Sequence, residues 1–536
     1  MRAGKTTKSF IFAFIFLLLS VPANAVWDKL SDYAPPPVLK GGDKGIPNMQ
    51  LRVHKVGDTH MSITNWGMLG SQMGSYDDPE TGLNASSCEH PAGSGLEHLF
   101  HGGLWVGAIV DNDTLVTVGL DGWQHVNEMY PAAIPGGNIE KRSNNPSSPD
   151  YHPDAISEAD YIATYQDTLT DPAYVSQDPY DARPHIPLNL EIRQESYSWS
   201  DSEYEDFIII KYVVKNMGMQ SLQDMYFGFF FDSDVLHAQM TSNGYSDDIS
   251  GFYTLNDPQT GEDVHIAWSA DNDGDPTGGS WGAASVRGVF GVSLLEFPAV
   301  PGISFNWWVS EQFNPALYDW GPMMTANYRD FGTGGLGTPE GDCNKYYIMS
   351  NGEFDYDQIY TVIDYTDEGW MPPPAADLAH QLANGYDTRF LISFGTVDLA
   401  AGDSTQFAIA VAVGDDFHQN PNDFQDYFDA DNPDPFYNTL DFSDLVNDIM
   451  AARNLYFEIS GYACGDFDGN ETPELNDIIY AINYIFAGGP GPMPLTAGDV
   501  NCSGKINLVD VIFMVNFVFR DGNEPCDVDG DGVPDC

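Results

Sequence analysis

The chain has 536 residues, 79 of them Asp or Glu against 21 Lys or Arg, for a formal charge of −58 at pH 7. So acidic a chain repels nucleic acid and anionic membrane surfaces, and leaves calcium and cationic surfaces as fitting partners. Its 42% hydrophobic and 13% aromatic residues exclude general disorder, while 53 Gly and 35 Pro favour short strands and turns over long helices.

Residues 1–25 carry Arg2, Lys5 and Lys8, an apolar run from Phe10 to Val21, and then Ala23-Asn24-Ala25. This is the pattern of a secretory signal peptide. Its apolar run of about 12 residues is too short for a membrane span, which needs about 20. No later stretch is long and apolar enough to span either. The mature chain is therefore expected to be secreted, extracellular or at the cell surface, without a membrane span, where cysteines pair.

Residues 26–458 read as strand material. Gly103–Val110 and Thr114–Val118, joined by Asp-Asn-Asp, predict a hairpin. Phe207–Val214 and Met225–Phe231 predict two further strands. Arg389–Phe394 and Thr405–Val413 read as a late antiparallel pair, with Phe407, Ile409, Val411 and Val413 on one face. Strands at this density argue for one or two β-sandwiches. One helix is expected, with Ser443 as its N-cap and Asp444–Tyr456 as its body. A boundary is placed near 195, giving a β-rich domain at 26–195 and a β-sandwich domain at 196–458 that ends in the helix.

Candidate chemistry in this region is sparse. No G-x-S-x-G elbow, no H-E-x-x-H helix and no Gly-rich phosphate loop is recognised. His90, His98 and His101 lie close in sequence with Glu89 and Glu97 beside them, and surface or loop packing is expected over metal ligation. Asp232 and Asp234 end an aromatic strand, with solvation at a sandwich edge expected over a cation or a glycosidase pair. Asp271, Asp273 and Asp275 alternate as in the first half of a calcium loop, but with Ala283 where the twelfth-position acid would stand, a solvated acidic turn is expected over a structural calcium. Trp307, Trp308, Trp320 and Trp370 would line a sugar platform if exposed; core packing is the default.

There are six cysteines, Cys88, Cys343, Cys464, Cys502, Cys526 and Cys536. The simplest pairing joins Cys88 to Cys343 and the last four among themselves.

Residues 459–536 carry the strongest motif. Two acidic loops, each followed by an amphipathic segment, repeat at a spacing of 33 residues from Gly465 and Gly498. Calcium takes six to eight oxygens, which a 12-residue loop supplies from positions 1, 3, 5, 7, 9 and 12. In loop 1 these are Asp466, Asp468, Asn470, the Thr472 carbonyl, Glu474 and Asp477. In loop 2 they are Asp499, Asn501, Ser503, the Lys505 carbonyl, Asn507 and Asp510. Position 6, a sharp turn that favours glycine, is Gly504 in loop 2 but Glu471 in loop 1. Loop 1 is thus expected to bind more weakly. In the tail, Asp527, Asp529 and Asp531 repeat positions 1, 3 and 5, and a Cys526–Cys536 bridge would close that half-site.

The duplicated loop-helix unit resembles a type I dockerin over about 465–525, a small EF-hand-like helical module. The resemblance implies bound Ca2+ and a cohesin-like or cell-surface protein partner, often in polysaccharide degradation. Positions 10 and 11, often small hydroxyl residues in dockerins, are here Leu475-Asn476 and Leu508-Val509. The acidic tail is similar to thrombospondin type 3 repeats. Residues 204–234 are similar to a segment common in secreted bacterial β-sandwich proteins.

The expected protein is therefore mainly β, with a small calcium-binding helical module. It is expected to be an extracellular binding or structural protein rather than an enzyme. The alternatives are an O-glycosyl hydrolase acting on polysaccharide and a subunit of an extracellular assembly.

Overall fold

The computed structural model describes residues 48–526 except 123–126, 133–136, 176, 179–181, 240–243, 258–262, 299–301, 311–313, 328, 330–336, 367–368, 376, 461–463, 468–471, 488–490, 493–494 and 521. The signal segment and the tail residues Asp527, Asp529 and Asp531 lie outside the described residues. No helix among the described residues is long and apolar enough to cross a membrane.

Two antiparallel sheets dominate. The first, of eleven strands, comprises β1 (Leu51–His54), β2 (His60–Thr64), β3 (Met68–Gly70), β4 (Cys88–Glu89), β5 (Leu96–Glu97), β6 (His101–Val110), β7 (Asp113–Val118), β13 (Leu222–Asp232), β14 (Leu236–His237), β18 (Gly302–Val309) and β19 (Thr388–Leu399). The second, of nine, comprises β8 (Tyr130–Pro131), β9 (Glu140–Arg142), β10 (Ala159–Gln166), β11 (Leu190–Ser198), β12 (Phe207–Asn216), β15 (Asp248–Asn256), β16 (Asp263–Asp271), β17 (Val289–Glu296) and β20 (Ser404–Gly414). The five longest-lasting helical pieces after β18 are α1 (Asp342–Ser350), α2 (Leu378–Asn384), α3 (Ser443–Ser460), α4 (Leu475–Ala487) and α5 (Leu508–Arg520).

Strict alternation in β20 explains the layering. Phe407, Ile409, Val411 and Val413 face inward and join the core between the sheets, as their pattern predicts. Across that core Phe407 meets Phe227 at 4.7 Å and Phe394 at 5.3 Å between ring centroids. Ala408, Ala410 and Ala412 face outward, and their small side chains let α3 lie close on the sheet. The apolar stripe Leu445, Ile449, Ala452, Leu455 and Tyr456 follows the helical period and covers that outer face. α3 begins at Ser443, so this residue opens the helix instead of capping it. On the other outer face Phe230 stacks between Trp105 and Trp308, beneath Ile348 and Met349 of α1. Full burial of side chains of this size contributes about 1.5–3 kcal/mol each.

Four expectations are corrected. Residue 195 lies inside β11, and each sheet takes strands from both sides of it, so one sandwich replaces the two-domain division. The hairpin β6–β7 forms as predicted. The strands β19 and β20, however, do not pair: β19 lies between β13 and β18, and β20 between β12 and β17. The short connection carries the chain from one sheet to the other, and the strands meet across the core. Cys88 is free and buried on β4 while Cys343 is free and exposed on α1, so that bridge is absent. Cys526 pairs with Cys502, not Cys536, and Cys464 is also disulfide-bonded.

The C-terminal module has its own small core of Phe467, Ile478, Ala481, Val500, Val511 and Met514. These are three pairs of positions, each pair 33 residues apart, so the repeat read in the sequence is also a repeat of packing.

Candidate metal centres

Loop 2 brings its six predicted donors onto one turn. Asp499 Oδ1 accepts from the Ser503 N–H at 2.9 Å and the Ser503 hydroxyl at 3.1 Å, and its Oδ2 accepts from the Gly504 N–H. Gly504 sits at φ +78°, a conformation that disfavours side chains. Asp510 Oδ2 accepts from the Asn507 N–H at 2.8 Å, reaching back across the first turn of α5, and its Oδ1 accepts from the Asn501 amide. The Lys505 carbonyl accepts from Ser503 and Asn507. Asp510 is buried, and burial followed by the nearby Asp499 raises its carboxyl above the usual range. The Cys502–Cys526 bridge ties the following chain to this loop.

Loop 1 repeats the geometry where it is described. Asp477 is buried and accepts from the Phe467 and Glu474 N–H groups, both at 2.7 Å. Asp466, next to Phe467 in the chain, is buried too, and Thr472 is exposed. Asp468 and Asn470 lie outside the described residues. Because Glu471 stands where Gly504 makes the turn in loop 2, Asp499→Ala and Asp510→Ala are expected to lower calcium affinity more than Asp466→Ala. Calorimetric titration of the full chain checks the order, and the reverse order would show that Glu471 is tolerated.

The Asp271, Asp273 and Asp275 carboxylates converge, with one oxygen of each within 4.8 Å of the others. They lie at the end of β16, which passes into a turn. Asp271 Oδ1 accepts from the Asp273 and Gly274 N–H groups, and Asp273 Oδ1 accepts from the Asp275 N–H at 2.9 Å. Asp271 is fully buried, and its Oδ2 has no hydrogen-bond partner; nor has Asp275 Oδ2. Asp248 stands directly opposite Asp271 in the β15–β16 ladder. Burial, then the neighbouring Asp275, holds Asp271 well above the carboxylate range; burial, then Asp273, pushes Asp275 up to about 6. Asp247 is pushed up to about 6 by burial and by Asp275 and Asp273. Hard oxygen donors of this number suit a calcium-like cation. Asp271 is buried, while Asp273 and Asp275 are half-buried at the turn.

Asp232 and Asp234 also differ from expectation. Asp232 is buried, and strand register explains its company: Arg389 faces it from β19 and His101 from β6. Arg389 Nε lies 3.2 Å from Asp232 Oδ1, and Arg389 Nη2 lies 3.1 Å from Asp387 Oδ1. His101 Nε2 is 3.5 Å from Asp232 Oδ2. Asp232, Asp234 and Asp387 could surround a metal by distance, but the guanidinium already supplies a positive charge there.

His90, His98 and His101 are buried, not on the surface. Trp307, Trp308 and Trp370 are buried too, and Trp320 packs against Trp307, so they form core and not a sugar platform. Contrary to expectation, Gly278-Gly279-Ser280-Trp281-Gly282 does fit the spacing G-x-S-x-G. It lies in the turn-rich connection between β16 and β17, without the strand and helix that a nucleophile elbow needs.

No family model matches the chain, and no curated protein matches it. Among solved structures, a "putative aldose 1-epimerase" from Escherichia coli K12 is similar over 68% of this chain and 99% of its own, at 8% identity and a TM-score of 0.24. A likeness this slight carries no functional argument.

Proposed function

We propose that this is a secreted, calcium-binding extracellular protein whose β-sandwich is a binding or structural body and whose dockerin-like C-terminal module docks it on a cohesin-like or cell-surface protein. One observation carries the reading. Leu475, Ile479, Ile482 and Phe486 form an exposed apolar stripe along α4, and Leu508, Ile512 and Phe519 form its counterpart on α5. Three of these pairs are again 33 residues apart, so the duplication preserves an outward apolar face as well as the core. Isolated exposed apolar residues need no explanation, but a repeated stripe marks an interaction surface. The calcium loops sit at the start of each striped helix and would hold its first turn.

The test is capture from the extracellular fraction of the producing organism on the immobilised full chain, with calcium or with chelator. Calcium-dependent capture is expected, and Ile479→Asp with Ile512→Asp together should abolish it. Each single substitution should leave capture in place, because the other helix presents the same stripe. Equal capture by the double variant would end the proposal. The reading as an O-glycosyl hydrolase has no observation of its own, since the tryptophans that would have formed a platform are in the core.

A further inference from the structure

At one rim of the sandwich the chain assembles a different donor set. Asp58 lies in the turn between β1 and β2, and His90 directly follows β4, both from the first sheet. Asp206 directly precedes β12 and Asp415 directly follows β20, both from the second. One donor atom from each of Asp58, His90 and Asp206 lies within 4.8 Å of the others. The approach is built into the backbone. The Asp58 and Thr59 N–H groups donate to the Glu205 carbonyl at 2.8 and 3.1 Å. A Cβ on Gly57 would stand 2.3 Å from that carbonyl oxygen, so only glycine permits the contact.

The two ring nitrogens of His90 have distinct surroundings. Nδ1 is 3.9 Å from Asp206 Oδ1 and 3.0 Å from the Thr59 hydroxyl, which donates to the Asp206 carbonyl. Nε2 points at Asp415 Oδ1, 3.4 Å away, without forming a hydrogen bond, although the His90 side chain is only 2% exposed. Donors bound at about 2.0–2.2 Å to one small cation stand about 3–4 Å apart. An imidazole that ligates a metal through one nitrogen commonly gives its other N–H to a carboxylate, which fixes the ring. In the structure Nδ1 shares a hydrogen bond with the Thr59 hydroxyl, so a metal would displace that bond, and the Nε2 proton would then face Asp415, 3.4 Å away.

We propose that Asp58, His90 and Asp206 bind a divalent first-row transition metal through His90 Nδ1 and the two carboxylates, with Asp415 as the positioning residue on Nε2. The nitrogen donor separates this site from the oxygen-only clusters, because calcium and magnesium take oxygen while imidazole suits zinc, cobalt and similar ions. Two ligands come from the first sheet and the third, with the positioning Asp415, from the second, so the ion would clasp the sheets together at this rim.

The test uses the full chain, freed of metal and then saturated with calcium to fill the oxygen-only sites. Cobalt is titrated in and followed by visible absorption. Binding of one equivalent with ligand-field bands is expected, and zinc should displace it. His90→Gln, which keeps the bulk of the side chain, should abolish the bands. Asp415→Asn should weaken binding about 10- to 100-fold. Asp499→Ala should leave the bands unchanged. Zinc should also raise the melting temperature of the wild type and not that of His90→Gln. An absence of bands, or bands that persist in His90→Gln, would overturn the proposal. If His90→Gln fails to fold, Asp58→Asn takes its place with the same expected loss.

Discussion

Replacing Arg389 with leucine is expected to destabilise the sandwich by about 3–5 kcal/mol, the usual cost of leaving one partner of a buried ion pair unpaired. Arg389 and Asp232 are each only 1% exposed on their side chains, and they stand opposite one another on β19 and β13. Water cannot take over from the guanidinium there. Burial already pushes Asp232 up to about 7 against the pull of Arg389, which shows how poorly the site solvates a negative charge. Adding Asp232→Asn to Arg389→Leu should recover part of the loss, because it removes the orphaned charge. Denaturant midpoints of the two variants and the wild type check this. An Arg389→Leu protein within about 1 kcal/mol of wild type would mean that the charge is hydrated after all.

The second large effect is a calcium gain that grows with pH. The Asp271 cluster holds its carboxyls above their ordinary values, with Asp247 and Asp275 near 6. For an acid raised in the folded state, the protonated form favours folding. Unfolded Asp ionises near about 3.9. Without a cation, this cluster therefore costs stability progressively as pH rises from about 4 through about 6, and the cost keeps growing above that, because Asp271 is held well above the carboxylate range. Calcium bound by the ionised carboxylates would remove that cost. At free calcium about 100-fold above Kd the gain is about 2.7 kcal/mol. The rise in melting temperature on adding calcium should therefore be larger at pH 7 than at pH 4.5. It is measured in a chain carrying Asp466→Ala and Asp499→Ala, so that the C-terminal loops contribute little. Asp275→Asn should reduce the rise at pH 7. An equal rise at both pH values, or one indifferent to Asp275→Asn, would remove calcium from this site.

What the sequence discloses here is local. The inward face of β20, the β6–β7 hairpin, α3 and the 33-residue repeat all follow from patterns within a few turns or residues. The alternation of Asp271, Asp273 and Asp275 is visible in the sequence, but it favours a solvated turn there, and their convergence on a buried Asp271 comes from the fold. Long-range pairing is another matter. The short connection between β19 and β20 is equally able to make a hairpin or to cross between sheets, and only the rest of the fold decides. The same holds for Arg389 and Asp232, which are 157 positions apart and meet through register. His90, Asp58 and Asp206 meet through the close contact of Gly57 with Glu205, which no spacing rule encodes. Cys88 and Cys343 share a redox setting but lie on a buried strand and an exposed helix, and parity alone could not separate them.

The strand order also constrains how the chain reaches this state. β20 is an inner strand of its sheet, between β12 and β17, although it comes last of the twenty. β19 likewise completes the other sheet between β13 and β18. Until residues 388–414 arrive, four strands present unpaired inner edges, the geometry that invites edge-to-edge aggregation. Pairings that span about 200 residues close slowly, because the loop entropy falls due before the contacts form. Folding of this sandwich is therefore a late, collective event, and a chain cut short before β19 would be left with open sheets and no route to close them.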